Sequence, residues 1–230
     1  DEKKDELKWE DIKNAIRPVS LLHVNTPEIL NEIPALEKTK LSKEDLGKTF
    51  LKYIKRITEA NGESLDMKLQ ERIRNSFSEI ADKYLTDKRL ESVIHGDLNL
   101  YPHHLTNNIM LDAGSISIGP FTADLAVFGS PVFNRGELRK PMKDRMELAL
   151  KEYLATRGKI ADELKYENHQ LVGISEEFLI ESSLVAVLFG AARRASSTLN
   201  YKVSYISQFE RKISSILSIV SWLPKPIRTI

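Results

Sequence analysis

One stretch of this chain breaks a pattern that otherwise holds along its length. Apolar residues recur at helical spacing through most of the 230 residues, but between Ser92 and Asp112 the apolar runs are too short and too β-rich for helix. Ser92-Val93-Ile94 reads as a short strand. His104-Leu105-Thr106 and Ile109-Met110-Leu111 flank Asn107-Asn108, which predicts a tight β-hairpin, because Asn tolerates the positive φ of such a turn. The expected fold class is therefore α+β, predominantly helical: one domain spanning residues 1–230, with a small β-hairpin inserted at its centre.

The helices can be placed from their caps and breakers. Leu7, Ile12, Ala15 and Ile16 form a stripe expected to end before Pro18. Thr26-Pro27-Glu28 reads as an N-cap followed by Pro at the first helical position. Ser42-Lys43-Glu44-Asp45 caps a helix carrying Leu46, Phe50, Tyr53, Ile54 and Ile57, which stops at Asn61-Gly62. Ser64 caps the next, which runs to Tyr84. The Gly- and Pro-containing segment from Gly114 to Pro131 reads as loop. Glu137 to Thr156 is expected as one helix closed by Arg157-Gly158. Ser175 caps a long helix to about Asn200, and Ser204 to Trp222 is the last.

Charge and composition exclude several classes. Lys and Arg total 34 against 33 Asp and Glu, a net charge of +1, which leaves neither a nucleic-acid footprint nor a polybasic membrane anchor. There is no cysteine, so no disulfide framework, thiolate metal site or cysteine nucleophile exists. No apolar run reaches the roughly 18–20 residues that span a bilayer. The start, Asp1-Glu2-Lys3-Lys4-Asp5-Glu6, lacks the layout of a signal peptide and an initiator Met. The expectation is a cytoplasmic protein, and a chain that is a piece of something longer.

The residues suited to chemistry lie between His95 and Asp124. Asp97 follows the first strand and Asp112 ends the hairpin, so two carboxylates at the ends of adjacent short strands can converge on one site. Such a pair suits phosphoryl transfer: one carboxylate takes the proton of an attacking hydroxyl, the other holds Mg²⁺ against the phosphates.

Val93-Ile94-His95-Gly96-Asp97-Leu98 resembles the catalytic loop of the aminoglycoside and choline phosphotransferase family, which has a protein-kinase-like fold. Downstream, that family carries an Asp after an apolar strand, then an Ile-Gly-Pro-like turn, then Asp-Leu-Ala. This chain has Leu111-Asp112, Ile118-Gly119-Pro120 and Asp124-Leu125-Ala126. Leu98-Asn99-Leu100-Tyr101 is similar to the sugar-kinase branch, which includes the maltokinases. The resemblance implies the C-lobe of a kinase-like fold, with ATP and Mg²⁺ as cofactors and a small polar metabolite as acceptor. It implies Asp97 as catalytic base, Asp112 as Mg²⁺ ligand, and His95 and Asp124 as residues that shape the loop.

The chain also departs from the family. The family's second metal ligand, Asn or Gln, falls here on Pro102, with His103 and His104 next to it. His103 is the substitute ligand this implies, although imidazole suits Zn²⁺ or Mn²⁺ better than Mg²⁺. The other reading of the two histidines is a pair of partly exposed polar residues on opposite faces of a strand. A second alignment gives the ligand role to Asn108 and puts Gly119 where a metal-binding Asp belongs, whereas the first keeps the downstream spacing. None of the ten glycines forms a Gly-x-Gly phosphate loop, so the N-terminal lobe that grips ATP is expected to be absent from this chain and supplied in cis, or never present. The alternative function is a catalytically inactive, pseudokinase-like binding module. Arg193-Arg194 is expected in an ion pair or on a solvated face. Phe189, Tyr201, Tyr205 and Trp222 are expected in the core, and His23 and His169 are given no special role.

Overall fold

The structure, a computed structural model, describes residues 9–60, 67, 71, 75, 81–96, 98, 105–106, 109–110, 115–129, 139–166, 171 and 173–197. The described chain is mostly helical, with two small antiparallel strand pairs. Helices α1 (Trp9–Val24), α2 (Thr26–Glu32) and α3 (Lys43–Ala60) precede strand β1 (Glu91–Ile94). The hairpin strands β2 (Leu105–Thr106) and β3 (Ile109–Met110) follow, then β4 (Ser117–Pro120) and the single turn α4 (Thr122–Leu125). Two long helices, α5 (Met142–Leu164) and α6 (Glu176–Ser197), complete the order.

Helix α1 runs on through Pro18, contrary to the expected stop. Proline removes one backbone donor, at a cost of about 3 kcal/mol in a helix interior. Beyond it, however, Val19, Ser20, His23 and Val24 are all buried against α5 and β1, and that burial keeps the second half helical. Helix α5 likewise passes through Arg157-Gly158, where closure was expected. Gly158 has open space around it, while Arg157, Ile160 and Ala161 beyond Thr156 are buried. The helix ends instead at Lys165, whose left-handed φ of 57° lets its N–H reach Asp162 O at 3.2 Å and the Tyr166 N–H reach Ala161 O at 2.8 Å.

The caps at Ser42 and Ser175 form locally. The Asp45 N–H donates to Ser42 Oγ at 3.1 Å while that hydroxyl donates to the Asp45 carboxylate at 2.7 Å, and the Phe178 N–H donates to Ser175 Oγ at 3.2 Å. Thr26 does not cap α2. Its hydroxyl donates to His23 O at 2.8 Å and accepts from the Val93 N–H at 2.9 Å, which ties α1 to the open edge of β1.

The largest correction concerns Gly114 to Pro131, read from sequence as loop. Ser117–Pro120 is a buried strand paired antiparallel with β1, in the register Glu91 to Pro120 and Ile94 to Ser117. Gly119 marks the close approach: a Cβ there would lie 2.8 Å from Leu41 Cδ1 and 2.9 Å from Ile94 Cδ1. The Leu41 N–H donates to Ile118 O at 2.9 Å, adding the segment before α3 to the far edge of β4. The core beneath is built from Ile16, Val19, Leu90, Phe121, Phe128, Leu150, Tyr153 and Leu184. Among the described residues no helix is long and apolar enough to cross a membrane. The helices expected from Ser64 to Tyr84 and from Ser204 to Trp222, together with Arg193-Arg194, His169 and the Phe189, Tyr201, Tyr205 and Trp222 side chains, lie wholly or partly outside the described residues; residues 81–86 are helical.

Candidate functional site

The β1–β4 pair delivers two segments to one place. Strand β1 ends at Ile94 and passes into His95 and Gly96, while β4 passes through Phe121 into α4, which carries Asp124. Gly96 has a φ of +77°, and a Cβ there would lie 2.5 Å from Ser115 O, so the turn requires glycine on both counts. Asp124 is 1% exposed, and its carboxylate spans the turn. Oδ2 accepts the His95 N–H at 2.8 Å and Oδ1 accepts the Gly96 N–H at 3.0 Å. Two consecutive amides on two oxygens of one carboxylate fix the peptide plane between them, because charge-assisted bonds of this type are among the stronger ones in proteins.

Behind the carboxylate lies a polar chain that crosses three helices. His23 Nε2 is 3.0 Å from Asp124 Oδ2, and His23 Nδ1 is 2.9 Å from the Tyr153 hydroxyl. Arg157 Nη1 donates to that hydroxyl at 2.6 Å. The Phe121 and Tyr153 rings stack at 5.1 Å, and the Arg157 guanidinium lies 5.2 Å from the Phe121 ring centre. Burial, only partly offset by the Asp124 hydrogen bond and charge, holds the His23 imidazole below its ordinary pKa, so its contact with Asp124 joins a neutral donor to a carboxylate. Burial also pushes the Tyr153 hydroxyl up to about 12, against the pull of Arg157. Two surface grooves, one between α1 and α2 beside Ile29 and one beside Arg89 and Phe178, are lined by no member of this chain.

Of the residues singled out from sequence, His95 and Asp124 are brought into direct contact. Asp97, Asp112, His103, His104, Pro102 and Asn108 lie outside the described residues, which include the backbone of β2 and β3 with Leu105 opposite Met110. Among the described residues no cluster of three or more His, Cys, Asp or Glu side chains could hold a metal ion. Sequence reasoning missed His23, Tyr153 and Arg157. A signal for His23 was present, since it follows Ile12, Ile16 and Val19 on the buried face of α1, where a polar ring requires a partner. Nothing local pointed to which partner that was.

The chain matches no family model, no curated protein and no solved structure.

Proposed function

We propose that this chain is the C-lobe of a small-molecule kinase, transferring a phosphoryl group from ATP to a hydroxyl of a sugar, amino sugar or amino alcohol in the cytoplasm. The observation that supports this reading is the grip of the Asp124 carboxylate on the His95 and Gly96 amides. It sets the backbone at the residue preceding Asp97, the carboxylate best suited by sequence to act as base. A base contributes in proportion to how well it is positioned, and a turn fixed by a buried carboxylate supplies that positioning. In this reading Asp97 orients the acceptor hydroxyl and takes its proton. Asp112, with His103 beside it, is the candidate ligand for Mg²⁺, whose charge offsets that of the phosphates. The ATP-gripping lobe is supplied in cis.

Crystals soaked with Mg²⁺ test the reading through the separation of the Asp97 and Asp112 carboxylates. Two groups facing one cleft within about 10 Å, as residues flanking a phosphoryl group require, are the expected result. Carboxylates that point apart, or one locked in a structural ion pair, would overturn it. Pro102, which has no side-chain donor or acceptor where the family has Asn or Gln, favours a second reading as a catalytically inactive binding module. Calorimetric titration of the full-length protein, ATP-gripping lobe included, with ATP, with and without Mg²⁺, separates the two: Mg²⁺-dependent binding belongs to the kinase, and metal-independent binding or none belongs to the module.

A further inference from the structure

We propose that His23 is a positioning residue, held as its Nε2–H tautomer by Tyr153 and Arg157, and that through this tautomer it fixes the Asp124 carboxylate on the His95–Gly96 turn. The assignment follows from counting donors. Arginine has only donors, so the Tyr153 oxygen must accept from Arg157 Nη1. The Tyr153 hydroxyl proton then points to the other neighbour in reach, His23 Nδ1, which accepts it. A neutral imidazole that accepts at Nδ1 carries its proton at Nε2, which faces Asp124 Oδ2 at 3.0 Å. Every bond from Arg157 to the turn amides is then satisfied in one direction, and reversing any one leaves two donors or two acceptors face to face.

The arrangement places a guanidinium-to-carboxylate chain across α5, α1 and α4, with two neutral groups between its charged ends. Among the described residues, Asp124, Tyr153 and Arg157 are the ionisable side chains that face His23 from the helices around it. Oδ2 accepts from both His23 and His95, so the imidazole sets the orientation in which the carboxylate can also reach Gly96. Rotation of Asp124 away from the turn would leave the buried Nε2–H without an acceptor, a cost that keeps the carboxylate in place. The inference rests on the kinase reading only for the purpose of the turn, which is to lead into Asp97.

The test uses the intact chain labelled with ¹⁵N. The His23 ring is expected to show a pyridine-like Nδ1 and a pyrrole-like Nε2. In His23→Leu the His95 and Gly96 amides should exchange with solvent roughly tenfold faster relative to the Leu184 and Val185 amides of α6. His23→Gln, whose side-chain NH₂ can replace the Nε2–H donor, should restore most of that protection. Tyr153→Phe, a milder change, should release the tautomer lock and give a mixed ring signature. A proton on Nδ1 in the unmodified chain overturns the proposal, as does a His23→Leu variant whose turn amides change no more than those of α6. Mg²⁺–ATP binding, measured on the full-length protein that carries the ATP-gripping lobe, reports separately on the kinase reading. If that full-length protein shows no Mg²⁺-dependent binding while the tautomer and amide results hold, the kinase reading fails and the positioning role stands.

Discussion

At the residue scale, the fold depends on a few positions where chemistry leaves little freedom. Asp124 is one, because three N–H groups, those of His95, Gly96 and His23, converge on its two oxygens. Asp124→Ala removes the acceptor of all three, two of them buried and the Gly96 amide partly so. At about 1–3 kcal/mol for each buried donor left unsatisfied, the variant should lose at least about 2 kcal/mol in urea unfolding. A loss under 1 kcal/mol would mean that water or a neighbour takes over the acceptor role. Gly96 is a second such position. Gly96→Ala combines a left-handed φ with a 2.5 Å approach to Ser115 O, a backbone atom that cannot swing aside. A destabilisation of about 2 kcal/mol or more is expected. Gly119→Ala meets only the ends of Leu41 and Ile94, so it should cost less, about 1–3 kcal/mol, and a second substitution, Leu41→Ala, should recover part of it. If the double variant is no more stable than Gly119→Ala alone, the crowding account of that glycine is wrong.

At the element scale, the two long helices end on opposite logic. Helix α6 begins on a side-chain cap, Ser175, which the sequence announces through the polar residue ahead of an apolar run. Helix α5 ends on Lys165 in a left-handed conformation, which suits glycine and strains a side chain. Lys165→Gly should therefore raise stability by about 0.5–1 kcal/mol, read as a shift of the denaturation midpoint at unchanged slope. A fall in midpoint would place the cost of added chain freedom above the relief of strain. Both expected helix ends that failed, at Pro18 and at Arg157-Gly158, failed for one reason. The local breaker costs at most a few kcal/mol, and the residues beyond it bury a stripe that recovers more. Val24, Ile160 and Ala161 form a small apolar cluster of their own, which ties the far ends of α1 and α5 together.

At the scale of the whole molecule, the buried histidine links stability to pH. His23 binds a proton less readily in the folded chain than its ordinary 6.5 allows. Below that value the unfolded chain binds more protons than the folded one. Stability contributed by His23 is thus complete above pH 6.5 and declines as the pH falls toward the lower folded value, by up to about 1.4 kcal/mol per pH unit. Urea unfolding at pH 5.5 and 7.5 should show that decline in the unmodified chain and a smaller one in His23→Gln. Equal pH dependence in the two would show that the imidazole is not buried in its neutral form.

By itself the amino-acid sequence determined the helical class, the strand at Val93-Ile94, the pairing of Leu105-Thr106 with Ile109-Met110 and the caps at Ser42 and Ser175. Each of these is written within a few neighbouring residues, by periodicity, turn chemistry or a hydroxyl ahead of a helix. Only the tertiary structure decided that Ser117–Pro120 is a strand. Its Ser-Ile-Gly-Pro sequence, with a glycine and a proline in four residues, reads as loop until β1 lies beside it and Leu41 bonds to its other edge. It likewise decided the place of His23, whose two partners lie 101 and 130 residues away in sequence. Hydrogen bonds over such separations leave no local pattern, because what selects them is the packing of α1 against α5 and α4, which no short window of sequence contains.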